Sequence, residues 1–238
     1  MTDHTVRSYD EELTALRLNI SEMGGIAETM FSSSVDALTR SDTQLAQRVI
    51  ATDQRLDMLE REIEEKAILT IAKRQPMAVD LRSIITSIRI AADFERVGDL
   101  AKNIGKRVVA MNGQFIPQKI AGGVTHMSDL ALERLKTVLD AYLRQDVETA
   151  LEVWRTDDEI DTLYNSLFRE LLTYMMEDPR NIGFCTHLLF CAKNVERIGD
   201  HATNIAETIH YLVTGQTITI ERPRSDEGYA PLEIGEYN

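Results

Sequence analysis

Proline is scarce in this chain of 238 residues, and the five present fall at positions 76, 117, 179, 223 and 231. The long stretches between them are free of the residue that breaks helices, and the strand-like alternation of apolar and polar residues is nearly absent from them. Cysteine is rarer still. Cys185 and Cys191 lie six positions apart, on opposite faces of a helix, which prevents a local disulfide and gives a reducing, cytoplasmic location as the expectation. No apolar run approaches the ~18 residues that span a bilayer. No charged-then-apolar segment opens the chain, so a soluble protein without a secretion signal is expected. Basic residues are in deficit, 26 Lys and Arg against 39 Asp and Glu, for a formal net charge of −13. Binding a phosphate backbone needs clustered Lys and Arg that release counterions, so no nucleic-acid partner is expected, whereas cations and basic partner surfaces are favoured. A Gly-rich loop between strand and helix is also missing, so the chain shows no phosphate pocket of its own. Nor does a serine or cysteine nucleophile sit near a base and an orienting acid in a recognisable pattern, and an enzyme is not expected.

What is present is helical periodicity. Leu13, Leu16, Ile20, Met23 and Ala27 recur at helical spacing, as do Leu45, Val49, Leu56, Leu59, Ile63 and Ala67. Helices are predicted near 8–39, 43–73, 77–112, 119–143, 147–177 and 180–213. Their limits carry the appropriate punctuation: Ser41-Asp42-Thr43-Gln44 reads as a capping box, Asp178-Pro179 as an N-cap followed by proline in the first turn, and Asn112-Gly113 and Thr214-Gly215 as C-terminal stops. The short connections make neighbouring helices antiparallel, and helices of about 30 residues are roughly 45 Å long. The predicted fold is all-α: two tandem homologous three-helix bundles, six long antiparallel helices in all, related by a pseudo-twofold axis. Residues 1–115 form the first repeat, 116–215 the second, and 216–238 a C-terminal tail with an extended piece at 217–220.

The repeat is written in the residues. Glu95-Arg96-Val97-Gly98-Asp99 recurs 101 positions later as Glu196-Arg197-Ile198-Gly199-Asp200, and Ala101, Asn103 and Ile104 keep the same offset to Ala202, Asn204 and Ile205. Each copy stacks two carboxylates one helical turn apart on a common face, close enough to share a cation. A second pair accompanies each, because Asp53 and Asp57 recur as Asp157 and Asp161 at an offset of 104, the extra three residues being absorbed near Pro76 and Pro179. Projected on a helix, Leu81, Ile84, Ile85, Ile88 and Ala92 share a face that Glu95 and Asp99 then take over, with Val97, Ala101, Ile104 and Val108 opposite. The apolar stripe is therefore expected to change sides along the helix. One such acid pair is ordinarily a solvated charge stripe; its recurrence in the second copy favours a metal site. Arg96 and Arg197 are expected to pair with acids on a neighbouring helix, Gly98 and Gly199 to admit a close helix or ligand, His201 to lie solvated on a helix surface, and Trp154, Met175 and Met176 to pack.

With these motifs, and with Ala72-Lys73-Arg74-Gln75-Pro76, Asp80-Leu81-Arg82 and Leu172-Thr173-Tyr174-Met175-Met176-Glu177-Asp178, the chain resembles the PhoU phosphate-signalling regulators over nearly all of residues 6–215. The hallmark of that family is a repeated E/D-x-x-x-D motif on helices. The resemblance implies that the acid pairs on the second and third helix of each repeat face one another, and that iron or zinc clusters bind at the surface. It implies a non-enzymatic adaptor that represses phosphate-starvation signalling and modulates phosphate ABC transport. Its partners are then the ATPase subunit of the transporter and the sensor histidine kinase of the phosphate regulon, with the protein peripheral to the membrane through them and expected as a homodimer.

The eight candidate metal ligands are thus Glu95, Asp99, Asp53 and Asp57 in the first repeat and Glu196, Asp200, Asp157 and Asp161 in the second. An all-oxygen donor set suits Mg, Ca, Mn or Fe and disfavours zinc of the kind held by sulfur or imidazole, whereas the resemblance implies iron or zinc; Fe or Mn rank first, with Mg close behind and Zn after it. Two other classes compete. A di-metal carboxylate oxidase needs a Glu-x-x-His element, whereas the residues three beyond Glu95 and Glu196 are Gly98 and Gly199. A metal-free structural bundle would leave the acids as a solvated stripe.

Overall fold

The computed structural model describes residues 2–113 and 118–219. Among these there are seven α-helices: α1 (Thr2–Arg40), α2 (Thr43–Arg74), α3 (Val79–Met111), α4 (Gln118–Arg144), α5 (Val147–Arg155), α6 (Asp158–Glu177) and α7 (Ile182–Thr214), with a single 3-10 turn, Pro179–Asn181, ahead of the last. No strand occurs among the described residues. The repeat boundary at 115/116 and the tail beyond residue 219, including the end of the expected 217–220 extension, lie outside them.

The helix limits follow the punctuation. Asp42 caps α2, its carboxylate accepting from the Leu45 N–H at 2.9 Å, and Asp146, 104 positions on, caps α5 in the same way through Thr149. α3 stops where Asn112 turns left-handed and α7 where Gly215 does. These conformations are available to Asn and Gly at little cost. Asp178 caps the 3-10 turn, accepting from the Arg180 N–H at 2.9 Å.

Where a single helix over 147–177 was expected, the chain breaks at Thr156–Asp157 into α5 and α6. At the break stands Arg134, a buried arginine of α4 that donates to the Thr156 carbonyl, to the Asp157 carbonyl at 3.4 Å and to the Glu159 carboxylate at 2.8 Å. In the first repeat the matching position is buried Met30, and α2 runs unbroken past Thr52-Asp53. A buried guanidinium requires acceptors, and the two carbonyls at the break are among those it finds.

α1, α2 and α3 pack on one another, α4 packs with α5, α6 and α7, and the two sets join where α3 meets α7 and α1 meets α4. α3 and α7 are therefore the central helices. That position explains a second departure from expectation: the apolar stripe of α3 does not change sides. Ile84, Ile90, Ala91, Phe94, Val97, Ala101, Ile104 and Val108 are all buried in one broad arc, and Leu81, Ile85, Ile88 and Ala92 lie at its edge or outside it. A helix with neighbours on three sides needs more than a narrow apolar stripe.

Candidate functional site

Glycine sets the distance between the helices that carry the acids. A methyl at Gly98 would collide with Leu56 of α2, and one at Gly199 would stand 2.7 Å from Ile160 Cδ1 of α6. Leu56 and Ile160 are themselves 104 positions apart, so both repeats seat a branched side chain of the second helix in a notch of the third. The acids one turn to either side, Glu95 and Asp99 in one copy and Glu196 and Asp200 in the other, are thereby brought toward the aspartates of α2 and α6.

In the first repeat, the charges on Glu95 and Asp99 meet those of α2. Burial raises Glu95 above the ordinary carboxylate range, followed by Asp99 and, from α2, Glu60 and Asp57; Arg96 opposes the shift. Glu60 is raised by burial and by Glu64, with Asp57 adding to it. Lys102 Nζ lies 2.5 Å from both Asp53 Oδ2 on α2 and Asp99 Oδ1 on α3. Burial works against its charge, but the two hydrogen bonds outweigh it and hold the ammonium protonated well above the usual lysine range. Arg96, expected to pair with a neighbouring helix, is mostly exposed and makes its ion pairs within α3, at 3.5 Å to Glu95 and 3.7 Å to Asp99.

The second repeat holds Asp157, the residue just before α6, and Asp161 of α6 against Glu196 and Asp200 of α7. Burial pushes Asp200 up to about 6, and Glu196, Asp157 and Asp161 push the same way. Asp161 is raised by burial, Glu196 and Asp157. Where the first repeat has Lys102 the second has Thr203, whose hydroxyl donates to Asp157 Oδ1 at 2.7 Å. Lys193 donates to Glu196 Oε1 at 2.5 Å, while Glu196 Oε2 is buried with no hydrogen-bond partner among the described residues.

All eight acids singled out in the sequence thus fall into two clusters, one per repeat. Among the described residues, no three acid, histidine or cysteine side chains converge as tightly as a closed metal cage requires. The residues nevertheless fit a hard cation held across a helix pair: the donors are all carboxylate oxygens, one buried oxygen lacks a partner, and in one repeat an ammonium already bridges the two helices.

Glu60, Lys102, Thr203 and the pair formed by Asp93 and His201 were not singled out for such contacts by the sequence. His201, expected to be solvated, is 17% exposed and hydrogen-bonds through Nδ1 to Asp93 Oδ1 at 2.9 Å, tying α7 to α3. The repeat hides it, because the counterparts of Asp93 and His201 are Asn194 and Leu100. Trp154 is buried as expected and donates to Glu207 at 3.0 Å, whereas Met176, expected to pack, is 85% exposed. Cys185 and Cys191 are free and buried, and burial pushes the Cys191 thiol up to about 12.

The PhoU domain family matches the chain twice, over residues 20–108 and 124–209. A protein of Rhizobium meliloti (strain 1021) named phosphate-specific transport system accessory protein PhoU homolog is 62% identical over 223 residues, covering 94% of either chain. The one so named in Caulobacter vibrioides (strain NA1000 / CB15N) is 53% identical over 226 residues, 95% of this chain and 98% of that one. Among solved structures, PhoU from Pseudomonas aeruginosa superposes with a TM-score of 0.84 at 37% identity over 87% of this chain and 100% of its own. The phosphate transport system regulatory protein PhoU from Streptococcus pneumoniae gives 0.81 at 27% identity over 89% and 100%.

Proposed function

Because the chain belongs to the PhoU family, we propose that it is a non-enzymatic regulator of phosphate-specific transport that represses phosphate-starvation signalling while phosphate is plentiful. The observation that carries this reading is the match along nearly the whole chain, 62% identity over 94% of its length, to a protein named as a phosphate-transport accessory protein. The chemistry of the chain agrees. Its two thiols are buried, and a buried thiol kept protonated is a poor nucleophile. The net charge of −13 favours basic partner surfaces. Among the described residues no helix is long and apolar enough to cross a membrane, and the protein reaches the membrane through its partners. Those partners are the ATPase subunit of the phosphate ABC transporter and the sensor histidine kinase, which the protein links as a homodimer on the cytoplasmic side. Residues 1–115 and 116–215 serve as its two repeats.

The same reading makes the carboxylate clusters metal sites, with Glu95, Asp99, Asp53 and Asp57 on one repeat and Glu196, Asp200, Asp157 and Asp161 on the other, and Fe or Mn ahead of Mg or Zn. A bound cation supplies positive charge that offsets facing carboxylates and offers open coordination positions at the surface. The chain's part is to hold the acids at the spacing that Gly98 and Gly199 impose.

Deleting the gene tests the regulatory role. Alkaline phosphatase output and phosphate uptake are expected to rise in phosphate-rich medium and to return to parental levels on complementation. Unchanged output and uptake in the deletion strain would refute it.

A further inference from the structure

We propose that Lys102 is a built-in cation that occupies the first-repeat cluster, so that the second repeat loads a metal ion first and the first repeat only after the ammonium is displaced. This rests on the metal reading above and adds an order of loading to it. The two clusters are equivalent by position: Asp53, Asp57, Glu95 and Asp99 match Asp157, Asp161, Glu196 and Asp200. They differ at the residue one turn past the last acid of the motif. In the first repeat that residue is Lys102, whose ammonium is 2.5 Å from one carboxylate of each helix and so occupies the space between α2 and α3. Its side chain is only 20% exposed. In the second repeat it is Thr203, which gives Asp157 a neutral hydroxyl and no charge.

A tethered ammonium competes with free metal as an intramolecular ligand, at an effective concentration of ~mM or above. The second repeat has no such competitor at that position. Lys193 opposes the rise of Asp161 and Asp200 by its charge, but it lies on the turn before the motif, is 48% exposed, and its hydrogen bond goes to Glu196 of its own helix, so it does not join the two helices as Lys102 does. The partnerless buried oxygen of Glu196 marks this cluster as the less satisfied of the two. Duplication has therefore left an ammonium that joins the two acid-bearing helices in the first repeat, and one that hydrogen-bonds to its own helix alone in the second.

The test follows amide resonances of the unmodified full chain while Mn²⁺ is added in substoichiometric steps. The Gly199 amide is expected to broaden first, and that of Gly98 only at roughly tenfold more Mn²⁺ or beyond. Lys102→Thr, which gives the first repeat the residue of the second, brings the two into step, whereas Lys102→Arg keeps the order. Simultaneous broadening in the parent, or Gly98 broadening first, overturns the proposal and leaves the metal reading intact, and so does a Lys102→Thr protein that folds yet keeps the parental order. Absence of broadening at both glycines removes the metal reading, and this inference with it.

Discussion

Asp200 shows what the clusters cost. Its carboxyl titrates near 3.8 in an unfolded chain and near 6 in the fold, because burial and the neighbouring acids disfavour its charge. Between those values the folded state holds more protons than the unfolded one, so stability falls as pH rises through the window and the penalty is complete above its upper end. A rise from 3.8 to about 6 would be worth about 3 kcal/mol if fully buried; Asp200 is partly exposed, and screening lowers this to ~1 kcal/mol. In metal-free protein, Asp200→Asn should raise the melting temperature at pH 7.5 and lose most of that advantage at pH 4, as read by thermal denaturation with chelator present. An advantage that grew on acidification would contradict the assignment. The acid itself was legible in the sequence because it recurs at a helical spacing. Glu60 and Lys102 were not, since their counterparts Tyr164 and Thr203 break the repeat. What distinguishes the copies cannot be found by looking for what they share.

At the scale of the helix, the glycines of the motif carry the geometry. Gly98→Ala gains up to ~1 kcal/mol of helix propensity but drives a methyl into Leu56, and overpacking of this kind costs about 1–3 kcal/mol. The net expectation is a lower melting temperature, relieved in part by Leu56→Ala in the same chain relative to Leu56→Ala alone. Gly25 of α1 is the contrast, with nothing within 4 Å of the added carbon; Gly25→Ala should stabilise by ~0.5–1 kcal/mol. Equal responses at the two sites would show that propensity, not the seating of α2 in α3, governs these positions. Every helix division but one, and most limits, were readable from proline placement, caps and periodicity. The break at Thr156–Asp157 was not, because what distinguishes it lies on another helix: Arg134 donates to the two carbonyls there, where the first repeat has Met30.

For the whole molecule, the 101-residue offset announced two like halves, and the fold pairs them through α3 and α7. The contacts across that seam follow no repeat pattern: Asp93 with His201, Arg82 with the Leu212 carbonyl at 3.4 Å, Arg107 over the Phe190 ring at 4.2 Å. A duplicated sequence specifies that its copies meet, while the residues that fix how they meet have diverged between copies. The acid clusters, by contrast, recur, and the central claim is that they recur to hold cations. A cation bound only by the folded state adds RT ln(1 + [L]/Kd), about 2.7 kcal/mol at a hundredfold excess over Kd. The most direct measurement compares bound metal and the metal-dependent rise in melting temperature between the parent and a variant with Glu95→Gln, Asp99→Asn, Glu196→Gln and Asp200→Asn. The parent, purified without an affinity tag, should carry Fe or Mn and be stabilised by added metal, while the variant stays folded and loses both. Identical responses of the two proteins to chelator and to added Fe, Mn or Mg would make the acids a solvated stripe and contradict the account.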